Sequence, residues 1–153
     1  MLSLTKKTDY ALIAMSRLVA DPEGVHSARR IAEDFGVPLP LLMNILKQLS
    51  ASGIIRSTRG ARGGYVLARP AEKITLADLI VALEGPMRLS QCSGRHGEGA
   101  GEGGCRLEES CPIQGPLQRV HERLREFLQN VTLAEIVSGR VEVMSVPGRG
   151  EAQ

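Results

Sequence analysis

Aromatic residues are scarce in this chain of 153 residues, which has no tryptophan and only two tyrosines and two phenylalanines. A core built on large rings is therefore excluded. The hydrophobic residues make up 42% of the chain, and they must pack mainly as aliphatic side chains. A chain of this length can bury a substantial core in one domain and still carry an appendage.

Long apolar runs are also missing. No stretch reaches the roughly 20 residues that cross a bilayer, and the start MLSLTKKTDY lacks the apolar segment and cleavage site of a signal peptide. We therefore expect a cytoplasmic protein with no membrane partner. There are only three cysteines, and this odd number argues against a disulfide framework in a compartment where thiols stay reduced.

Carboxylates are absent from residues 35–71. This stretch nevertheless contains five cations, and the resulting positive field favours a polyanionic partner such as DNA. A solvated basic face is the simpler alternative. The cations are Lys47, Arg56, Arg59, Arg62 and Arg69.

The spacing of apolar residues predicts three helices in the first third of the chain. Thr5 is a candidate cap for a helix over Lys6–Ala20, and Ser27 for one over Ala28–Phe35. A third helix is expected over Leu39–Ala51. Helix, short turn and helix of these lengths predict a helix-turn-helix, whose second member is the recognition helix.

A glycine-rich hairpin is predicted next. Strands near residues 54–58 and 65–67 flank the tip RGARGG, which carries Arg59 and Arg62. A hairpin after a recognition helix is a wing, and arginines on its tip suit a minor groove or a phosphate backbone. A surface hairpin with solubilising arginines is the alternative.

The outward side chains of the third helix are candidates for reading bases. Asn44 and Gln48 have the paired donor and acceptor that can recognise adenine, and Lys47 can reach guanine or phosphate. Arg29 on the second helix is a candidate backbone anchor, but it could equally pair with acidic neighbours on its own helix. The candidate DNA-binding residues are Arg29, Pro40, Met43, Asn44, Lys47, Gln48, Arg59 and Arg62.

All three cysteines follow a fourth predicted helix, Leu76–Glu84, which Thr75 and Asp78 cap. Thiolates are soft donors suited to an iron–sulfur cluster or zinc, and glycines let a loop wrap such a centre. The candidate ligands are Cys92, Cys105 and Cys111, with His96 as a rival and three unrelated thiols as the alternative. His26 and His121 are interpreted as surface residues.

A long helix ending at Asn130 is predicted after the cysteines, with one apolar stripe: Ile113, Leu117, Val120, Leu124, Phe127 and Leu128. A second subunit would cover this stripe naturally, and folding back on the first helix is the alternative. The expected organisation is a winged-helix domain at 1–84, a cysteine loop at 85–112, a dimerisation helix with a short terminal helix at 113–138, and a flexible tail at 139–153.

Four runs, TKKTDYALIAM, SARRIAEDFGVPLPLLMNILKQLSASGII, RGARGGYVLARP and VTLAEIV, resemble the IscR/NsrR-type bacterial transcription regulators. The resemblance covers nearly all of residues 4–137, and GCRLEESC before a long helix looks most like regulators of iron–sulfur assembly (SUF) operons. It implies a mainly α, winged helix-turn-helix homodimer that is not an enzyme. A 2Fe–2S or 4Fe–4S cluster would report cluster status to promoter DNA, with repression the expected direction.

Two departures from the family pattern bear on the ligands. Members that use three cysteines and a histidine place the histidine where this chain has Gln114, and here twelve residues separate Cys92 from Cys105. Members that sense nitric oxide use an aspartate of the partner's first helix, and Asp9 occupies the matching place. Asp9 is therefore a candidate fourth ligand, although a first-turn carboxylate also favours the helix dipole.

The alternatives to a cluster-status sensor are a nitric-oxide or redox sensor of the same family, and a zinc-stabilised or metal-free thiol-switch protein that binds DNA. An enzyme with a cysteine nucleophile is disfavoured because the sequence shows no ordered triad or oxyanion motif. No small-molecule substrate is expected.

Overall fold

The computed structural model describes residues 4–60, 63–89 and 111–141. The mainly α architecture with a two-stranded wing is confirmed, and the predicted helices are found within a residue of their expected bounds. The division into domains stays a prediction. The elements are α1 (Lys6–Ala20), α2 (Ala28–Phe35), α3 (Leu39–Ala51), β1 (Ile55–Thr58), β2 (Gly64–Leu67), a 3-10 turn (Ala71–Lys73), α4 (Leu76–Glu84), α5 (Gln114–Asn130) and α6 (Leu133–Ser138).

The core is aliphatic, as the composition requires. Helices α1, α3 and α4 pack on one another and bury their apolar faces together, whereas both phenylalanines, Phe35 and Phe127, remain exposed. The centre is formed by Met15, Leu18, Leu42, Ile45, Leu46, Leu49, Ile54, Ile55, Ile74, Leu79 and Leu133.

Local signals set most helix ends. The Ser27 hydroxyl accepts a hydrogen bond from the Arg30 amide at 3.2 Å, and Gly36 ends α2 in the left-handed conformation. Thr75 and Asp78 form the expected capping box at the start of α4. These contacts explain why α2 and α4 begin and end where the sequence predicts.

The start of α1 differs from the expectation. Thr5 is the N-cap residue, but its side chain makes no capping bond. Its hydroxyl instead donates to the carboxylate of Glu84, which also accepts from the buried Thr8 hydroxyl at 3.0 Å. Lys7 donates to the Leu83 carbonyl. We call this set of contacts the Glu84 clamp; it ties the first turn of α1 to the end of α4.

The wing is docked on the turn before α2. Strands β1 and β2 pair antiparallel, and Tyr65 exchanges two backbone hydrogen bonds with His26, of 3.0 and 2.9 Å. A Cβ on Gly64 would lie 2.5 Å from the His26 carbonyl oxygen, so only glycine permits this approach. His26 is consequently 8% exposed, and its interpretation as a surface residue is wrong.

The last helix returns to the winged-helix core. Thr75 and Thr132 form a β-bridge, and the Leu133 amide donates to the Ile74 carbonyl at 2.7 Å. Leu133 is fully buried in the main core. Among the described residues, α6 therefore joins the same core as α1, α3 and α4, and α5 packs chiefly against α4. Within the described residues, no helix is long and apolar enough to cross a membrane.

Candidate nucleic-acid interface and cysteine segment

The outer surface of α3 is exposed because the helix buries its opposite face. Leu42, Ile45, Leu46 and Leu49 point into the core at helical spacing. The predicted base-reading residues lie on the other side, and Met43 is 52% exposed. The structure thus brings together on one exposed helix surface Pro40, Met43, Asn44 and Lys47, with Gln48 partly buried at its edge.

Two amide side chains on this surface are held side by side. The Gln48 amide nitrogen donates to the Asn44 amide oxygen at 3.3 Å, one helical turn apart. This bond leaves the Asn44 amide nitrogen as a donor and the Gln48 amide oxygen as an acceptor. An adenine edge in the major groove requires that complementary pair.

The cations beside this surface form no ion pair within the described residues 4–60, 63–89 and 111–141. Arg69 pairs with Asp78 there, and the His26 ring lies 3.7 Å from the Asp21 carboxylate. For Arg29, Lys47 and Arg59 no ion-pair partner is found in that part of the chain, so the alternative in which acidic neighbours neutralise Arg29 is not found there. Arg69 is a structural cation, since it meets Asp78 at 2.9 Å.

The wing carries its cation next to a tight turn. Gly60 has φ 119°, a conformation that other residues rarely adopt, and its carbonyl accepts from the Gly63 amide at 2.9 Å. Arg59 lies directly before this turn and is exposed. Arg62 lies outside the described residues. The turn presents Arg59 at the end of the hairpin, away from the core.

Of the predicted ligands, the structure describes Cys111 and Asp9. Cys111 is half-buried just before α5, and it forms no disulfide among the described residues. Asp9 is exposed in the first turn of α1. Both donors are accessible, and a thiolate with a carboxylate suits an iron–sulfur cluster or zinc. Cys92, Cys105 and His96 lie outside the described residues, which by themselves hold no group of three or more donors.

The sequence reasoning missed a second polar site, between α4 and α5. His121 is 9% exposed, so its interpretation as a surface residue is also wrong. It faces a cleft that Arg69 and Arg125 also line. A signal was present, because His121 falls four residues after Leu117 and hence beside the apolar stripe, where burial is possible.

A helix-turn-helix with an exposed polar recognition face and a cationic wing defines a transcriptional regulator that binds DNA. The family model Rrf2, described as an iron-dependent transcriptional regulator, matches residues 4–139. The chain belongs to the Rrf2 family. Its members are regulators, so the expectation that the chain is not an enzyme is confirmed.

Individual relatives agree with this assignment. The HTH-type transcriptional regulator IscR of Klebsiella pneumoniae (strain 342) is 32% identical over 95% of this chain and 85% of its own. The structure of CymR, the global cysteine regulator of B. subtilis, is 31% identical, with a TM-score of 0.70 over 91% of this chain and 98% of its own. The T. potens IscR structure is 28% identical, with a TM-score of 0.66 over 96% and 94%.

Proposed function

We propose that the protein reads promoter DNA with the outer face of α3 in the major groove and with the wing on the adjacent backbone or minor groove. The observation that carries this proposal is the exposed α3 surface, which has no carboxylate and lies beside cations without ion-pair partners in the described part of the chain. Backbone contacts position such a protein, and base-edge contacts give it specificity. Arg29, Arg59 and Arg62 take the first role, and Asn44 and Gln48 the second.

The reading unit is a homodimer. Helix α5 exposes apolar side chains that include Val120 at 52% and Phe127 at 37%, and Ile113, directly before the helix, is 61% exposed. An apolar stripe on a helix is normally buried against another surface. A second copy of α5 supplies such a surface, and its two-fold symmetry matches paired half-sites in an operator.

The regulator carries an iron–sulfur cluster held by Cys92, Cys105 and Cys111, with the partner subunit's Asp9 as the fourth ligand. The chain passes from α4 into the cysteine segment and from Cys111 into α5, and α4 packs on α5. When bound, the cluster supplies redox- and nitric-oxide-sensitive iron chemistry. The Glu84 clamp joins the turn that carries Asp9 to the end of α4, so the position of Asp9 is fixed relative to the point at which its own chain enters the cysteine segment.

The regulated genes are those of iron–sulfur cluster assembly, with repression as the direction. A zinc-stabilised or metal-free protein and a nitric-oxide or redox sensor are the alternatives. Iron and sulfide analysis of protein purified without oxygen separates the metals, since zinc gives neither sulfide nor visible absorption. Holo and apo protein titrated on the promoter of the cluster-assembly genes then tests sensing. Equal affinity of the two forms for that promoter, or protein that takes up no iron, contradicts the proposal.

The DNA interface is tested by alanine variants. Lys47→Ala or Arg59→Ala is expected to weaken promoter binding roughly tenfold at moderate salt, and to reduce the salt dependence by about one counterion when the lost contact is to phosphate. Arg123→Ala is the matched control, because it removes an exposed cation from α5, away from the recognition face. A control variant that weakens binding as strongly as the other two would contradict this interface.

The fourth ligand is tested separately. Asp9→Asn preserves the size of the side chain but removes its charge. It is expected to shift the visible spectrum of the cluster and to increase its loss in air, whereas Cys111→Ser is expected to abolish assembly. An unchanged spectrum in Asp9→Asn would mean that Asp9 does not ligate the cluster and only interacts with the dipole of α1.

A further inference from the structure

A cleft of about 940 Å³ lies between α4 and α5, within the size range of small-molecule sites. Its wall is mixed. Ile80, Val81 and Leu128 supply apolar surface, and Arg69, His121 and Arg125 supply polar groups. Glu122 and Glu126 stand on the α5 side of the same cleft. These residues suit a ligand with an anionic group, hydrogen-bond donors and some apolar surface.

Two buried polar atoms in the wall have no hydrogen-bond partner among the residues that the structure describes. They are the Nε of Arg69 and the Nδ1 of His121. The Arg69 guanidinium meets Asp78 through another nitrogen, at 2.9 Å, so its Nε–H is available as a donor. His121 is more than nine-tenths buried. Buried polar groups are nearly always satisfied in a working protein.

We propose that the cleft binds a small organic acid that also carries a hydroxyl or amino group, and that this ligand acts as an effector. A carboxylate oxygen accepts from Arg69 Nε and from a His121 ring that is protonated at Nδ1, and the exposed Arg125 adds a charge-assisted bond. The ligand's hydroxyl or amino group donates to Glu122 or Glu126. A simple inorganic anion would leave these two carboxylates facing a like charge.

A second copy of the chain is not the expected occupant. The side chains of α5 that line the cleft, including Gln118, His121 and Arg125, lie roughly a third of a turn from the apolar stripe of Val120 and Leu124. Leu128 lies at the shared edge of the two surfaces, and a partner helix centred on Val120 and Leu124 leaves the polar side chains of the cleft uncovered. The chemistry agrees, since the cleft side of α5 is charged and the stripe is apolar.

The position of the cleft gives the ligand a route to DNA binding. Its wall includes Ser52, at the end of the recognition helix, Ile54, next to the wing, and Arg69, just after β2. The opposite wall is α5, which we assign to the dimer. A ligand that bridges these walls favours one orientation of the reading head relative to the dimer helix, which is the requirement for an effector.

The test is isothermal titration of the full-length, metal-free protein without DNA, using L-glutamate, L-malate and inorganic phosphate as probes. We expect saturable binding of one ligand per chain for glutamate or malate, and much weaker binding of phosphate. Arg125→Ala should weaken binding roughly tenfold. Arg123→Ala, which removes an exposed arginine outside the cleft on the same helix, should leave the affinity unchanged.

Substitution of His121 provides a second test. Asn places an amide nitrogen near the position of Nδ1, so His121→Asn should retain most of the affinity, whereas His121→Leu should lose it while circular dichroism shows a folded chain. If neither organic probe binds saturably at concentrations up to about 10 mM, the proposal is overturned, because a dissociation constant above that value is too weak for regulation. Equal binding of phosphate also overturns it. Neither result depends on the cluster, so failure here is distinct from failure of the sensor function.

Discussion

The winged-helix part of the molecule, residues 4–84, and helix α5 bury their apolar side chains to different extents. Within the first part, the nine-residue α4 buries three residues, Leu79, Ile80 and Leu83, and has a capping box. Helix α5 is 17 residues long, yet His121 is its only buried residue in the structure, and it has no side-chain cap. One element is held by its own chain, and the other is largely exposed.

This difference marks the surface on which the proposed second subunit would pack. A helix of this length in water gains most of its stability from packing an amphipathic face. Helix α5 presents such a face, but α4 covers only the side that contains His121. The core of the winged helix is thus completed within the chain, with Leu133 of α6 buried in it, whereas the apolar face of α5 is largely uncovered by the described residues.

The comparison is tested most strongly by truncating one side chain in each region. Leu49 is fully buried, so Leu49→Ala is expected to lower the free energy of unfolding by roughly 2–5 kcal/mol. Val120 is 52% exposed, and Val120→Ala should cost less than about 0.5 kcal/mol in the dilute monomer. Urea denaturation at low protein concentration measures both. Similar losses would mean that the stripe is already buried within one chain.

Self-association gives the second test. Val120→Glu places a charge in the middle of the stripe and is expected to weaken the homodimer more than roughly tenfold, since an unpaired buried charge costs several kcal/mol. Analytical ultracentrifugation measures the dissociation constant. Gln129→Glu is the matched control, because it adds the same charge on the cleft side of α5. A wild-type chain that stays monomeric at high concentration, or a control that dissociates equally, would contradict the dimer.

How far the sequence predicted the structure depends on how local each signal is. Ser27, Gly36 and Thr75 act within four residues of themselves. The helices whose ends they set, α2 and α4, are predicted correctly. Thr5 carries the same type of signal, but its hydroxyl bonds to Glu84, 79 residues away. No local sequence pattern reveals that a distant carboxylate will bind the hydroxyl that would otherwise cap the helix.

The candidate sites follow the same rule. The outer face of α3 was predictable because helical spacing alone decides which side is buried. The burial of His26 required knowledge that the wing docks on its backbone, and the burial of His121 required the packing of α5 on α4. Both depend on contacts between distant segments, and a histidine's own identity gives little information about them.

The smallest expected effect concerns the Glu84 clamp, which joins the start of α1 to the end of the winged-helix part. The hydrogen bond from the Thr5 hydroxyl is the largest cause that holds the pKa of Glu84 below its usual value. Partial burial acts in the opposite direction, and the Thr8 hydrogen bond and the charge of Lys7 lower the pKa further. A lowered pKa in the folded state stabilises the protein above the unfolded value of 4.5, and this contribution is lost as the pH falls through the folded pKa.

Glu84→Gln should therefore flatten the dependence of unfolding free energy on pH below about 5, by well under 1 kcal/mol because the group is exposed and screened. Denaturation of wild type and variant between pH 3 and pH 7, approximately the span over which a carboxyl titrates, measures the difference. Glu72→Gln is the control, since Glu72 makes no side-chain hydrogen bond among the described residues. If both variants flatten the curve equally, α1 is held by its apolar face alone, and the clamp adds no stability to the winged helix.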